Sequence, residues 1–488
     1  MLTTSGPAEV SASSHHRSAG STLLFVLVTA AACAIAAYTA AAAVLGASRP
    51  IVLLPFVMLL GVLLAVIALV RIEAFLLTVL ALRTALDALK LDAAILDPAS
   101  VVGLLLLGVV PLWLLLQHRS GAMPFRLTRT GVAVGAFTAA AALGIVVSPD
   151  PLSSALEWSR IATATAMFFA IEQIVLHREG FKHKALTAIF LALPLPVLAV
   201  VAQLASGEGL FEAAGFSRVT GTFAHSNPFA AYLTLVVIMA TACAVELRGR
   251  ARIWSVVVIA VAGPVLLLTY TRGAWIAVAL GLAVVALVLR RALVAVLLAA
   301  ALAATLLLVP SVSDRLMTVS EVTQEDSPGQ DSLSWRLNYW RNAVSLAEDS
   351  PIVGIGLKQI AQSLPEAKQP HNDFVRAYVE LGVLGFTTFL AMLGWFVLFG
   401  FRSAGRLRAE RGQPGRSLDV AIAGGFAGVA VAFATMSIVA NLMSQTVVLV
   451  YVMALAALAS AVAIRAQDRR RAEVRAKAAA TRDELASR

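Results

Sequence analysis

Charge and cysteine are scarce in this sequence, and each scarcity excludes a class of protein. Only 14% of the 488 residues are charged and 59% are hydrophobic, whereas an average soluble domain is about a quarter charged. These values exclude an ordinary soluble globular protein and indicate an integral membrane protein. The two cysteines, Cys33 and Cys243, both lie inside apolar runs. They predict small buried hydrophobes, with neither a disulfide framework nor a metal site.

The apolar runs are long enough to form transmembrane helices. A helix of about 20 residues crosses a hydrocarbon core of about 30 Å, because each residue rises about 1.5 Å. The predicted spans are 21–46, 51–70, 72–86, 100–117, 131–147, 160–176, 185–205, 227–246, 253–270, 272–289, 292–310, 372–400, 419–440 and 446–464. They predict an all-α polytopic membrane protein with about 14 transmembrane helices (12–14). The weakest span is 72–86, which is short and contains Arg83; it could be re-entrant or interfacial.

The basic residues predict the orientation of these spans. Positive charge concentrates in cytoplasmic connections of membrane proteins. With both termini in the cytoplasm, 26 of the 38 Lys and Arg residues fall on the cytoplasmic side. The net charge of +10 is therefore explained by topology and contact with the bilayer, and no nucleic-acid partner is expected. The polar first 20 residues and the long run that follows them also argue against a cleavable signal peptide.

The predicted organisation has five parts. They are a cytoplasmic N-terminal tail (1–20), transmembrane helices 1–11 (21–310), a long extracytoplasmic loop (311–371), transmembrane helices 12–14 (372–464) and a basic cytoplasmic tail, helical or disordered (465–488). The second part of the long loop, SWRLNYWRNAVSLAEDSP, predicts a helix. Its Trp335, Tyr339 and Trp340 are typical of a helix along the outer membrane interface. The Pro/Gly-broken turn PIVGIGL follows it.

Polar residues gather at three places on the predicted outer side. The first is the segment Arg218–Asn227, the second is the turn Thr269–Trp275, and the third is the long loop, with Arg336 and the pair His371-Asn372. Arginine offers a bidentate fork to phosphate oxygens, and a helix N-terminus adds partial positive charge. Together these residue types suit an anionic lipid headgroup such as a diphosphate.

Each of these residues also has a purely structural interpretation. An arginine at the end of a span usually extends to lipid headgroups. Arg272 is the stronger functional candidate, because a topological arginine belongs on the other side of the membrane. Taken alone, His371 is more often a capping or hydrogen-bonded residue than a catalyst. Asp373, Arg376 and Glu380 fall on one helix face, which favours an intrahelical ion-pair stripe over catalysis.

Four segments, in their order along the chain, resemble one known superfamily. His371-Asn372, nine further residues and then Gly382-Val383-Leu384-Gly385 fit the signature H-[NSQ]-x9-G-x-x-G. RVTGTFAHSNPFAAYL is similar to an R-x-x-GTF-x-x-x-N-x-x-A segment, TRGAW to an (S/T)-R-(G/S)-A-W turn, and WRLNYWRNAV…PIVGIGL to a long-loop helix. The family is that of the O-antigen ligases, O-antigen polymerases and bacterial O-oligosaccharyltransferases. The resemblance covers roughly residues 215–400, and the C-terminal spans add nothing diagnostic.

The resemblance implies a metal-independent, inverting membrane glycosyltransferase with a GT-C-like fold and no cofactor. Its donor would be a glycan on undecaprenyl diphosphate, at the outer face of the bacterial cytoplasmic (inner) membrane, in polysaccharide biosynthesis for the cell envelope. By position, Arg218 and Arg272 match arginines that hold the diphosphate, and Arg336 matches the long-loop arginine of the same site. His371 matches the general base for the acceptor hydroxyl, and Asn372 the residue that positions it.

Several alternatives stay open at the level of sequence. The acceptor could be another lipid-linked glycan, an envelope glycolipid or a protein hydroxyl, of which the last is least favoured because no feature for a protein acceptor is visible. The runner-up function is a transporter or flippase of the same lipid-linked glycan, which would need polar residues along a path through the membrane. A scaffold role is third.

Overall fold

The computed structural model describes residues 49–86, 98–213, 216–293, 296, 297, 300, 333–366, 368–413 and 415–486, and these are nearly all helical. The helices are α1 Arg49–Val70, α2 Ile72–Leu86, α3 Pro98–Arg119, α4 Arg129–Val146, α5 Pro151–His177, α6 Phe181–Leu191, α7 Pro194–Ser206, α8 Ser226–Glu246, α9 Gly249–Leu268, α10 Arg272–Val288, α11 Leu333–Ser345, α12 Ile360–Ser363, α13 Asp373–Arg408, α14 Ser417–Ser437 and α15 Thr446–Ala486. Strands β1 (Phe211–Ala213) and β2 (Phe216–Arg218) pair antiparallel, with Phe211 opposite Arg218. A 3-10 turn occupies Leu442–Ser444.

Within the described part of the chain, nine helices are long and apolar enough to cross a membrane. They are Ala99–Arg119, Arg129–Val146, Pro151–His177, Phe181–Ser206, Ser226–Glu246, Gly249–Leu268, Asp373–Arg408, Ser417–Ser437 and Thr446–Leu485. Shorter apolar helices at Gly61–Val70 and Arg272–Val288 overlap two further predicted spans. The prediction of a multi-pass, helical membrane protein is confirmed. The predicted spans at 21–46 and most of 292–310 lie outside the described residues, as do the whole N-terminal tail, the last two residues of the C-terminal tail and the first part of the long loop.

Two predicted spans take a different form in the structure. The predicted span at 185–205 lies within the stretch Phe181–Ser206, which is interrupted between α6 and α7, because Pro194 has no N–H to continue α6 and instead starts α7. The span at 72–86 is a helix of 15 residues, which rises about 22 Å and is shorter than a hydrocarbon core. At the other end of the chain, α15 runs without a break from the last predicted span into the basic tail, so the tail is helical as far as Ala486.

The centre of the bundle is built from helices with small residues. Of the most apolar stretch of α14, 83% is buried, and of α15 89%, against 22% for the peripheral α9. Three glycines of α14 lie close to their neighbours: a Cβ would be 2.6 Å from the Leu289 side chain at Gly424, 2.6 Å from the Met239 side chain at Gly425, and 2.5 Å from the backbone oxygen of Gly281 at Gly428. Close backbone approach stabilises helix pairs in membranes, where lipid chains are as apolar as the helices and dispersion contacts decide the packing.

Helix α13 is broken at Gly382, where φ is 65° and ψ is −168°. The turn 351–356 of the long loop docks at this break, and Val383 N donates a hydrogen bond to Pro351 O at 2.8 Å. A Cβ on Gly382 would lie 2.3 Å from the carbonyl group of Ile352. The first glycine of the G-x-x-G motif is therefore the place where the long loop is attached to the bundle.

The ends of the helices that were predicted to face the cytoplasm are joined by ion pairs. Lys182 Nζ lies 2.6 Å from Asp419 Oδ1 with both side chains buried, and Arg469 lies 3.2 Å from the same carboxylate. Arg465 pairs with Glu179 at 3.0 Å. Hydrogen bonding from Lys182 is the main cause that lowers the pKa of Glu179 to about 2. These contacts hold the basic part of α15 against the loops that follow α5 and α13.

The break at Gly382 generates a stability prediction. We expect Gly382→Ala to lower the free energy of unfolding by about 3 kcal/mol or more, because this backbone conformation is essentially restricted to glycine and the added Cβ clashes with the docked turn. Thermal unfolding of the purified protein in detergent, followed by tryptophan fluorescence, measures the change.

The matched control is Gly405→Ala on the same helix, where a Cβ meets nothing within 4 Å. Alanine is favoured over glycine inside a helix by up to about 1 kcal/mol, so this variant should be as stable as the parent or more so. Equal unfolding temperatures for the two variants would show that the break does not depend on Gly382.

Candidate active site

His371 and Asn372 lie at the N-terminus of α13, as the sequence predicts. His371 has a φ of 51°, a left-handed conformation that non-glycine residues adopt rarely and often at functional sites. Asn372 is the N-cap: its Oδ1 accepts hydrogen bonds from Phe374 N at 2.9 Å and Val375 N at 3.1 Å. The amide of Asn372 therefore starts the helix and determines how the chain enters it, which places the half-buried His371 at its mouth.

A segment of the chain that sequence reasoning missed also contacts this helix mouth. Asn441, between α14 and the 3-10 turn, places its Nδ2 3.3 Å from His371 Nδ1. The buried carboxylate of Asp373 accepts hydrogen bonds from Leu442 N at 2.9 Å and Met443 N at 3.2 Å. The C-terminal spans were expected to add nothing diagnostic, yet the connection between them supplies a direct contact to the candidate base. The available signal was a polar run, NLMSQ, in a short outer connection.

The long-loop helix α11 is held beside His371 by its aromatic residues. The Tyr339 hydroxyl donates to Lys368 O, and Trp340 Nε1 donates to Pro370 O at 2.6 Å. Burial raises the pKa of Tyr339 to about 12, so its hydroxyl keeps the proton that it donates. The aromatic residues predicted to lie in the membrane interface thus also attach α11 to the segment that ends at His371. Arg336, one turn before them, lies half-buried on the same face of α11.

Arg218 joins the first two arginine segments to each other. The side chain of this β2 residue is buried; its Nε donates to Thr269 O at 2.8 Å, and its Nη2 donates to Asn227 Oδ1 at 2.7 Å and to Thr271 Oγ1 at 2.8 Å. Arg272, which follows Thr271 in the chain, is the first residue of α10, and Thr271 is the N-cap of that helix. Arg218 therefore holds the turn that presents Arg272 at a helix N-terminus, a structural task that the sequence did not reveal.

The arginine turn and the histidine lie at the same end of the bundle. A Cβ on Gly273, beside Arg272, would lie 2.6 Å from Val439. Val439 lies two residues before Asn441, and Asn441 contacts His371. Since α11 is attached just before His371, the structure gathers all five residues of the predicted site, Arg218, Arg272, Arg336, His371 and Asn372, around one end of the helices.

Beneath the helix mouth, Arg376 is the centre of a buried ion network. Its Nε lies 2.8 Å from Glu380 Oε2 and its Nη2 lies 2.8 Å from Glu157 Oε1, with all three side chains at most 2% exposed. The guanidinium also donates to Ser444 Oγ. The Arg376–Glu380 pair of the predicted stripe is confirmed, and the network extends to α5 and to Ser444, whereas Asp373 accepts the N–H groups of Leu442 and Met443 instead.

An open apolar groove of about 470 Å³ begins next to the helix mouth. Its lining is the part of α13 from Leu390 through Leu393 and Val397 to Phe401, beyond the break at Gly382, with Ala434 of α14 on its other side. Phe374, two residues after Asn372, also lines the groove, so one end of it reaches the first turn of α13.

The comparison with protein families decides which kind of protein has this site. Residues 258–390 match the model of the family described as O-antigen ligase. This match supports the prediction that the chain is related to the O-antigen ligase and polymerase superfamily. No curated protein matches it. The matched segment contains Arg272, Arg336, His371 and Asn372, whereas Arg218 precedes it and Asn441 follows it. Together with the apolar helices, this O-antigen ligase domain supports a multi-pass membrane enzyme of the ligase or polymerase type, for which the family implies a lipid-linked glycan as substrate.

The ion network in this O-antigen ligase domain generates a second stability prediction. We expect Arg376→Met to destabilise the protein by about 3–5 kcal/mol, because it leaves the buried carboxylate of Glu380 without its cation and that of Glu157 with only Arg160. Arg402→Met, on an exposed part of the same helix, should change stability by less than about 0.5 kcal/mol. Unfolding temperature and the monodisperse fraction in size-exclusion chromatography measure both variants.

A triple variant separates the loss of charge balance from the loss of packing. If uncompensated charge is the cause, Arg376→Met combined with Glu157→Gln and Glu380→Gln should recover part of the lost stability, because neither carboxylate that paired with Arg376 remains charged. A triple variant less stable than the single one would contradict this explanation.

Proposed function

We propose that this membrane enzyme transfers or polymerises a glycan from undecaprenyl diphosphate onto an acceptor hydroxyl at the outer face of the bacterial cytoplasmic membrane. The observation that carries the proposal is the convergence of His371 with the segments of Arg218, Arg272 and Arg336 at one end of the bundle, in and beside the O-antigen ligase domain. A proton acceptor and several cations at one place are what such a transfer requires.

His371 is assigned as the general base. The acceptor oxygen attacks the anomeric carbon from the face opposite the diphosphate, the imidazole takes the hydroxyl proton, and the bond between the anomeric carbon and the diphosphate oxygen breaks with its electron pair going to the diphosphate. This direction of attack inverts the anomeric configuration. An imidazole titrates near pH 6.5, so it can accept a proton at neutral pH. Asn372 supports the base by fixing the N-terminus of α13.

The arginines are assigned to the diphosphate. Negative charge grows on the leaving group as the glycosidic bond breaks, and fixed cations stabilise it without reorganisation. Arg272 at the start of α10 combines a guanidinium with the positive end of a helix, which suits a phosphate group. Arg218 and Arg336 would supply further positive charge around the diphosphate. With this charge supplied by side chains, the proposed reaction uses neither a metal nor a cofactor.

The groove along α13 supports a lipid-linked donor. A polyprenyl chain is apolar and must remain in the membrane while its diphosphate reaches the site. The groove from Phe374 to Phe401 offers an apolar surface that begins beside the helix mouth. A donor with its chain along α13 would bring its headgroup to His371 without leaving the bilayer.

The distribution of charge supports an outward-facing site. Glu179, just after the C-terminus of α5, lies in the cluster of Lys and Arg ion pairs, whereas Glu157, near the N-terminus of α5, adjoins the site. Since basic ends face the cytoplasm, the site would face the periplasm or the outside. The acceptor is then a glycan or an envelope glycolipid on that side, with a protein hydroxyl least favoured.

The flippase alternative is not favoured by the buried charges. Glu157 and Glu172 lie 15 residues apart on α5, which corresponds to about 22 Å along the helix axis. Glu157 is paired with Arg376 at the outer end, and Glu172 accepts hydrogen bonds from Thr128 and Ser460 near the basic end. The two belong to separate, locally satisfied groups, and the buried polar residues between them on α5 are the uncharged Thr163 and Thr165, whereas charged or strongly polar groups typically line a transport path.

The base assignment predicts that His371→Ala inserts and folds normally but loses glycan transfer by about 100-fold or more, since general base catalysis contributes about 10²–10⁴-fold. The measurement is transfer of labelled glycan from a lipid-diphosphate donor by purified protein in nanodiscs. His183→Ala, exposed at the opposite end, is the control and should keep full activity. Unchanged transfer by His371→Ala would remove His371 from the mechanism.

The diphosphate assignment predicts a donor-specific defect for Arg272→Ala. Loss of a charge-assisted hydrogen bond costs about 1.5–3 kcal/mol, so kcat/KM for the donor should fall about 10- to 100-fold, whereas KM for the acceptor changes little. Arg272→Lys should recover part of the loss, because it keeps the charge but not the bidentate fork.

The control for this pair is Arg248→Ala, an exposed arginine at the basic end. It should leave the kinetics unchanged. A normal kcat/KM for the donor in Arg272→Ala would contradict the assignment, as would a defect confined to the acceptor.

A further inference from the structure

Asn441 contacts the imidazole of His371 from a part of the chain outside the O-antigen ligase domain at 258–390. Its Nδ2 lies 3.3 Å from His371 Nδ1. Its Oδ1 is buried and has no hydrogen-bond partner among the described residues. A half-turn of the amide exchanges Oδ1 and Nδ2 with almost no change in shape, so the same contact can form with Oδ1 facing Nδ1.

The two orientations of this amide have opposite consequences for the imidazole. A neutral imidazole carries one N–H and one lone pair. If Nδ1 accepts from the amide, the hydrogen lies on Nε2, and that nitrogen cannot accept a proton. If Nδ1–H donates to the amide oxygen, Nε2 carries the lone pair. The nitrogen that can act as the base is thus decided by the group that faces Nδ1.

We propose that Asn441 is a positioning residue for His371: its Oδ1 accepts a hydrogen bond from Nδ1–H, which leaves Nε2 to take the proton of the acceptor hydroxyl. This inference rests on the proposed function, because it concerns the base of that reaction. After transfer the imidazolium keeps the Nδ1–H···Oδ1 hydrogen bond, so the contact holds the ring through the whole step.

The backbone around Asn441 is attached to the same helix end that carries His371. Asp373 accepts the N–H groups of Leu442 and Met443 at 2.9 and 3.2 Å, and Arg376 binds Ser444. Both partners lie on the first turn of α13. Asn441 therefore cannot move away from His371 without breaking buried hydrogen bonds, which is the property that a positioning residue needs.

The first experiment follows the protonation of His371 without any substrate. Neutral imidazole reacts with diethyl pyrocarbonate, and mass spectrometry of the peptide that contains His371 gives its modification rate at each pH. In Asn441→Asp a carboxylate faces Nδ1–H and favours the imidazolium, so the pKa of His371 should rise by about one unit or more. The midpoint of the rate profile then moves to higher pH, while Asn342→Asp, an exposed control on α11, leaves it unchanged.

The other charged groups on the elements around His371 are the same in all these variants. Those toward its end of the bundle are Asp373, Arg376 and Glu380 on α13, Glu157 and Arg160 on α5, Arg336 and Arg341 on α11, Arg272 on α10 and Lys368 in the preceding segment. A midpoint that moves in Asn441→Asp and not in the control therefore reports the contact with Asn441. An unmoved midpoint in Asn441→Asp would overturn the inference.

The second experiment measures glycan transfer as a function of pH. Asn441→Ala should lower kcat about 10- to 100-fold and leave KM for the donor unchanged. Asn441→Asp, which is nearly isosteric and can only accept, should keep most of its activity, with the rising limb of the pH profile displaced to higher pH because the base must be neutral. Equal loss in both variants at every pH would show that the amide is needed as a donor and would overturn the proposal, as would a normal kcat in Asn441→Ala.

The two experiments separate this inference from the proposed function. Parent protein that transfers no glycan contradicts the proposed function, and the labelling midpoint still tests the contact. Parent protein that transfers glycan, with an inactive His371→Ala and a fully active Asn441→Ala, supports the function and rejects the positioning role.

Discussion

The guanidinium of Arg376 joins three parts of the chain at the end of the bundle that carries His371. It pairs with Glu380 on its own helix and with Glu157 on α5, and it binds Ser444 in the turn before α15. A charge in a membrane protein's interior is tolerated only when its hydrogen bonds are satisfied there, because no water reaches it. Each partner therefore constrains the others, and the N-terminus of α13 is held between α5 and the C-terminal helices.

The break at Gly382 separates the first part of α13, which the contacts of Arg376 hold in place, from the rest of the helix. Before the break, Asp373–Leu381 packs with the long loop: Tyr339 of α11 and Val379 belong to one buried cluster. After it, the helix continues along α14 as an ordinary span. The His-to-Gly spacing of the motif is thus the length of the short helical piece between the candidate base and the point where the loop docks. Within one motif, the glycine forms the point where the loop docks and the histidine is the candidate base.

The candidate site is assembled from segments far apart in the sequence, and each is attached by contacts that leave its functional group at the surface of the bundle. Arg218 donates hydrogen bonds to Thr269 and Thr271 and so holds the turn that contains them. The side-chain amide oxygen of Asn372 accepts a hydrogen bond that caps the helix. Such residues are needed to place the groups beside them, so loss of activity on their substitution would not by itself show contact with substrate. The distinction between placing and reacting also underlies the role inferred for Asn441.

The sequence by itself determined the helical membrane class, most helix boundaries, the basic end of the bundle and the residues of the candidate site. These features are local: apolar length, charge placement and motif spacing can be read from neighbouring residues. Even the division of the predicted span 185–205 had a local cause in Pro194. Only the tertiary structure decided that Arg218 binds the Thr269–Thr271 turn, that the long loop docks at Gly382 and that Asn441 faces His371. Those pairings join residues from about 30 to 70 positions apart or depend on how whole helices pack. The sequence around a polar residue in a short connection does not indicate which distant residue it will contact in the folded protein.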